Sequence, residues 1–206
     1  MLLGACSVQK SGSKLNAAGN GQMGKEGQQQ AQLAASATTP PLRIDYLTPV
    51  NAIKNPQIYI YKGKRRLYVI SGNVLVRDYP IGLGFNPVGN KERQGDGRTP
   101  EGNFTVCVKN SMSRFIRSLG LNYPNTRDAQ QALFAGLITP VQYKEILVAS
   151  QTKTPPPWNT DLGGQIFIHA GGANRDWTDG CIALYSSDMK ELFSIAKVGT
   201  PVYIRP

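Results

Sequence analysis

Apolar and polar residues alternate with a period of two through three short runs, Ile58 to Tyr61, Leu67 to Ile70 and Val74 to Ile81, broken by Lys62-Gly63-Lys64 and Ser71-Gly72-Asn73. That period predicts half-buried strands, and the breaks carry turn residues, so the three runs read as a meander. Gly82 to Gly102 is turn-rich, and Asn103 to Lys109 is predicted as the next strand. Ser111 to Pro124 follows as a candidate lid, and a helical insertion is expected over about 111–150. Within it Thr126 to Leu137 reads as a short helix closing near Gly136. Thr139-Pro140-Val141-Gln142 has an N-cap threonine, a proline at the first helical position and a glutamine placed for a capping box, with Tyr143, Ile146, Leu147 and Ser150 on one face behind it. Ile166-Phe167-Ile168 is an apolar run that predicts a buried strand ending at His169. After Ile182-Ala183-Leu184, Ser186-Ser187-Asp188 is predicted to cap a last helix whose Met189, Leu192, Phe193 and Ala196 face the core.

Before the meander the pattern is lost. Residues 7–41 are poor in large apolar side chains and rich in Gly, Gln, Ala, Asn and Ser, which predicts a flexible linker ahead of one domain at 42–206. A chain of 206 residues with such a tail holds one domain of ordinary size. The formal charge is +10, but apart from Lys62-Gly63-Lys64-Arg65-Arg66 the cations are scattered. A short basic loop reads as a solvated turn, and carboxylate-rich or lipid partners fit the charge as well as nucleic acid does, so no nucleic-acid function is expected. One histidine and three scattered cysteines offer no metal-ligand cluster, and no cofactor is expected. An odd cysteine count argues against a disulfide framework; Cys107 reads as a packing residue in its strand, with a Cys107–Cys181 bridge left open. No run of about eighteen apolar residues is present.

The chemistry concentrates in Ile166 to Leu184, where the single histidine, His169, stands twelve positions before Cys181. A thiol beside an imidazole is a nucleophile with its base. Gly171-Gly172, Asn174 and Asp179-Gly180 let the segment between them fold back, so that both ends can meet. In that reading Cys181 attacks a carbonyl, His169 is the base, and the backbone N–H groups around Gly180 serve the oxyanion. The alternative stays open: a lone histidine beside apolar residues also fits a hydrogen-bonded core residue, and a Gly-Cys after a turn a small buried hydrophobe.

His169 with Thr178-Asp179-Gly180-Cys181-Ile182-Ala183-Leu184, preceded by Gly95-Asp96-Gly97-Arg98-Thr99-Pro100-Glu101-Gly102-Asn103-Phe104, resembles the YkuD-type L,D-transpeptidase catalytic domain. Ser118 to Asn125, Gly163 to His169 and Gly199 to Ile204 agree in the same order, so the resemblance covers the chain from about Gln57 to Pro206. It implies a mainly β fold of two packed mixed sheets with a helical insertion and a helix after the cysteine. It also implies a reaction on peptidoglycan tetrapeptide stems: the cysteine attacks the L-centre carbonyl of meso-diaminopimelate, expels D-alanine and holds a thioester that an amine resolves. The product is a 3-3 cross-link or a protein attached to the wall. Carried onto this sequence, Cys181 is the nucleophile, His169 the base, the backbone carbonyl of Ala170 the group that orients the imidazole, and Gly180 a backbone oxyanion donor.

Where many members have a second histidine two places before the cysteine, this chain has Asp179, and the arginine often found two places after it is Ala183. Asp179, Arg114, Arg117, Tyr123 and Trp177 are therefore the expected substrate-binding residues. Met1-Leu2-Leu3-Gly4-Ala5-Cys6 resembles the end of a bacterial lipoprotein signal, which implies a remnant at 1–6, lipidation of Cys6 and an exported, membrane-anchored monomer in the periplasm or cell envelope. An accidental lipobox is the alternative. Two other functions compete with transpeptidation: a carboxypeptidase or amidase-type hydrolase using the same thioester, and a non-catalytic wall-binding lipoprotein.

Overall fold

Nine strands form one continuous hydrogen-bonded ladder in a computed structural model that describes residues 41–113 and 116–206. The signal remnant with Cys6, the linker up to residue 40, and Arg114 with Phe115 lie outside the described residues. The strands are β1 (Arg43–Ile44), β2 (Pro56–Tyr61), β3 (Arg66–Ser71), β4 (Val74–Pro80), β5 (Gly102–Ser113), β6 (Ile116–Leu121), β7 (Phe167–Ala170), β8 (Ile182–Leu184) and β9 (Pro201–Arg205). Their order is β1-β4-β3-β2-β9-β5-β6-β7-β8. Among the described residues three α-helices accompany them, α1 (Thr126–Phe134), α2 (Pro140–Thr152) and α3 (Ser186–Ile195), with a short 3-10 turn at Val50–Ala52.

The meander is present, with β2–β3 and β3–β4 both antiparallel. Alternation works residue by residue in β2: Ile58 and Ile60 are buried while Tyr59 and Tyr61 are half-buried on the other face. The β3–β4 connection is Gly72-Asn73, and Gly72 holds φ 60, a value open to glycine at the first central position of a two-residue hairpin. The mainly β fold is as expected, but the two expected sheets are two halves of one ladder. The long strand β5 joins them, pairing through Gly102–Thr105 with β9 and through Val106–Ser113 with β6.

The insertion also differs in extent. Its first part is not helical, because β5 runs on to Ser113 and β6 returns antiparallel from Ile116, so helix begins only at Thr126. Asn125 caps α1 in a capping box with Asp128, and Thr139 caps α2 in the expected box with Gln142 behind Pro140. Ala129, Ala132, Ile138, Ile146 and Leu162 form a small core under these helices. The main core lies between the sheet and α3, with Leu119, Ile168, Ile182, Met189 and Leu192 buried at 1 % exposure or less. Tyr185, with extended backbone and no side-chain cap bond, is the N-cap of α3, in place of the serines that follow it.

Candidate active site

β7 and β8 pair in parallel, with Ile168 opposite Ile182 and His169 opposite Ala183. Cys181, one residue before β8, therefore stands beside Phe167, and strand alternation puts the side chains of Phe167, His169, Cys181 and Ala183 on one face. His169 and Cys181 are diagonal neighbours there. Two backbone contacts set the thiol: the Phe167 N–H donates to Sγ at 3.4 Å, and Sγ lies 3.5 Å from the Gln165 carbonyl, to which the thiol donates. Gln165 makes that approach in a left-handed conformation, φ 54, which is uncommon for a residue with a side chain.

The imidazole is fixed from behind. His169 is buried, 3 % exposed, and its Nδ1 lies 2.6 Å from the Ala170 carbonyl oxygen. A carbonyl only accepts, so Nδ1 carries the proton and Nε2 keeps a lone pair. The Trp177 ring packs edge-on against the imidazole, centroids 5.7 Å apart at 73°, and its indole N–H donates to the Gly172 carbonyl at 3.2 Å. Ser118, paired with His169 across β6 and β7 and buried, shares this face; nothing in the sequence pattern singled it out.

The turn that carries Cys181 is held at several points. The Thr178 hydroxyl donates to the Cys181 carbonyl at 2.7 Å and accepts the Gly180 N–H at 3.2 Å. Upstream, Asp176 accepts the Leu83 N–H at 2.9 Å and takes a two-pronged ion pair from Arg65, Nη2 to Oδ2 at 2.7 Å. Gly180 has φ 133, and a Cβ there would lie 2.7 Å from the Arg98 carbonyl. The turn-rich stretch before β5 thus lies against the back of the Cys181 turn, and only glycine lets the two backbones approach.

The L,D-transpeptidase catalytic domain family, YkuD, matches residues 55–204, most of the chain and all of the elements just described except β1 and the short helical turn at Val50–Ala52. The chain belongs to this family. No curated protein sequence matches it. Its fold is similar to Bd1075 of Bdellovibrio bacteriovorus at 21 % identity and TM-score 0.50, over 80 % of this chain and 52 % of that one. A point mutant of the helical cell shape determining protein Pgp2 from Campylobacter jejuni is similar at 19 % identity and TM-score 0.50, over 73 % and 46 %. An L,D-transpeptidase from Mycobacterium smegmatis matches at 13 % identity and TM-score 0.44, over 74 % and 59 %. The chain spans about half the length of these solved relatives.

Within this YkuD domain the expected site residues divide. His169, the Ala170 carbonyl, Trp177 and Cys181 come together as described, and Asp179 is exposed in the same turn. Tyr123 does not reach the site: it is fully buried, and its hydroxyl donates to the Leu162 carbonyl at 3.2 Å. Arg117 is one residue out of phase with Ser118, so it leaves the opposite face of β6 and lies over the Phe193 ring of α3, 5.4 Å from its centroid. The Gly180 N–H is spent on Thr178, which removes it as an oxyanion donor. Arg114 lies outside the described residues.

The basic loop is not a solvated turn. Lys62 is buried and donates to the Thr99 carbonyl at 2.9 Å and to Glu101 at 2.8 Å; burial, only partly offset by Glu101, holds its pKa below the usual lysine value. Arg65 supports the Cys181 turn through Asp176. Their signal in the sequence is faint, since the partner carboxylates stand 39 and 111 residues away. Cys107 is half-buried in β5 with its thiol pKa pushed up to about 11 by burial, unlike an activated thiol.

Proposed function

We propose that this chain is a cysteine L,D-transpeptidase of peptidoglycan stem peptides that works through a thioester on Cys181. The observation that carries the reading is the short His169 Nδ1 to Ala170 carbonyl bond, 2.6 Å, in a buried imidazole on the face that Cys181 shares. It fixes the tautomer with Nε2 as the base. Nε2 takes the thiol proton as Sγ attacks the stem carbonyl, and backbone N–H donors lining the site receive the resulting oxyanion. The C–N bond to D-alanine then breaks, and the imidazolium gives its proton to the departing amine. In the second half an acceptor amine attacks the thioester, His169 takes the amine proton, and the thiolate leaves and is reprotonated. One amide bond is broken and one formed, without oxidant or metal.

Asp179, exposed beside the thiol, is suited to the ammonium of diaminopimelate, and Trp177 forms the wall behind His169. Export and a lipid anchor on Cys6 belong to the same reading and rest on the lipobox-like start alone. The test incubates the protein with purified disaccharide-tetrapeptide beside Cys181→Ala and reads the products by mass spectrometry. A cross-linked dimer lacking one D-alanine is expected. Tripeptide as the sole product would replace transpeptidation by carboxypeptidase action, and no product above the variant would overturn both.

A further inference from the structure

A cleft of about 660 Å³ opens between the start of β5, the end of β9, the N-terminal turn of α1 and Ser150 of α2; neither Cys181 nor His169 lines it. Four of its lining residues are asparagines, Asn90, Asn103, Asn122 and Asn125. Each has its side-chain oxygen committed inside the protein. Asn90 Oδ1 accepts the Glu101 N–H at 2.7 Å, Asn122 Oδ1 the Thr105 N–H at 2.7 Å, and Asn103 Oδ1 Arg205 Nη2 at 2.8 Å. Asn125 Oδ1 caps α1. A carboxamide with a fixed oxygen has a fixed NH₂ group as well, because turning it over would set donor against donor. Asn125 gives its NH₂ to the Asn103 carbonyl at 3.3 Å, whereas those of Asn90, Asn103 and Asn122 meet no acceptor among the described residues.

Oriented donors without protein acceptors suit a ligand rich in neutral oxygens. The wall carries both signs, Arg127 and Arg205 beside Glu101, with Glu101 paired to Lys62 and Arg205 occupied by the Gly102 and Ile204 carbonyls, so its charge selects no anion and the asparagine donors set the choice. Acetamido carbonyls and sugar hydroxyls match the donor set. The position also matters. β6 runs antiparallel to β5 and to β7, and β8 runs parallel to β7, so the start of β5 lies at the same end of the sheet as Cys181. Cys181 is level with Val108, through Gly120 and Phe167, so three strand spacings across and the residues from Val108 back to Asn103 along β5 separate the thiol from the cleft by about 20 Å. Along the chain, Arg98, whose carbonyl meets Gly180, is five residues from Asn103, at most about 18 Å. A stem of three residues extends about 10 Å, so the sugar held in the cleft lies further along the strand than the sugar whose branch is at the thiol.

We infer that this cleft is a subsite for the N-acetylated amino-sugar strand that bears the stem, binding it by acetamido and hydroxyl oxygens on the three asparagine NH₂ groups. The inference deepens the transpeptidase reading and rests on it for the nature of the branch. Its test titrates the full chain with triacetylchitotriose by amide NMR, and compares KM for a glycan strand of several disaccharide-tetrapeptide repeats with KM for free tetrapeptide. Saturable shifts at Asn90, Asn103 and Asn122, and a lower KM for the sugar-bearing substrate, are expected. In the Asn90→Asp/Asn122→Asp double variant each residue keeps an oxygen for its backbone N–H but loses the outward donor. Sugar affinity should fall at least tenfold and the two KM values should converge. Wild-type protein that shows no saturable sugar binding at these residues, or that binds as tightly with the double variant, overturns the subsite. Sugar binding there without turnover of any stem supports the cleft while removing the transpeptidase reading.

Discussion

Replacing Gly180 by alanine tests whether the tight packing behind the nucleophile matters. The new Cβ would sit 2.7 Å from the Arg98 carbonyl and 3.2 Å from Ile166 Cδ1, at a backbone φ of 133 that residues with side chains rarely adopt. The carbonyl is poorly placed to yield: the Arg98 N–H is held by Asp96 at 3.0 Å, and the next residue, Thr99, is fully buried and accepts the Gly84 N–H at 3.1 Å. Backbone strain of about 1–3 kcal/mol and a comparable overpacking cost, about 1–3 kcal/mol, add to about 2–6 kcal/mol of lost stability. Because the movement falls on the residue before Cys181, a shift approaching 1 Å should lower turnover by up to about 100-fold even in the folded protein. Gly72→Ala is the control, since it has φ 60 and nothing within 4 Å of the added Cβ, and should cost about 1–2 kcal/mol with no loss of turnover. Urea midpoints and D-alanine release at a temperature where both variants are folded give the two readings. A Gly180→Ala protein as stable and as active as Gly72→Ala would refute the reasoning.

Asp176→Ala strands the buried Leu83 N–H and releases Arg65, which should cost about 2 kcal/mol and lower kcat as the Trp177-Thr178 segment loosens; Asp176→Asn, which keeps an acceptor, should recover most of the stability in the same urea titration. Asp128 is buried, and desolvation, only partly offset by the Asn125 N–H and Arg127, raises its pKa to about 6. The folded state therefore binds more protons than the unfolded state between about pH 4 and pH 6, so this group's contribution is complete below about pH 4 and lost as pH rises to about 6. Asp128→Asn, which retains an acceptor for the Asn125 N–H, should leave the urea midpoint unchanged near pH 3.5 and raise stability by up to about 3 kcal/mol at pH 8. Cys107, with its pKa pushed up to about 11, should alkylate at pH 8 about 100-fold more slowly than an ordinary thiol, as read by peptide mapping, and equal labelling of Cys107 and Cys181 would contradict the assignment of roles.

The strands were legible because their signals are local: period-two alternation in Ile58 to Tyr61 and glycine turns after it are set by neighbouring residues. The Thr139 capping box was legible for the same reason. Failures came where distant parts of the chain meet. Tyr123 has the composition of a rim aromatic, but its hydroxyl is satisfied by Leu162, 39 residues on, inside the core. Arg117 and Ser118 are adjacent in sequence, yet strand pleating sends one to α3 and leaves the other beside His169, a distinction that needs the register of β6 against β7. Lys62 and Arg65 looked like a solvated turn because their partners, Glu101 and Asp176, arrive only with the fold. The helical reading from about residue 111 failed on β5, whose length also merges the two halves of the sheet.

The claim that Cys181 carries the acyl group is tested most directly by intact-mass spectrometry of the protein quenched shortly after mixing with tetrapeptide stem and no added acceptor amine. The account predicts a covalent adduct of the stem less D-alanine, mapped to Cys181, absent from Cys181→Ala and discharged when an amine is added. D-alanine release by the wild type with no adduct at any quench time, continuing in Cys181→Ala, would contradict it.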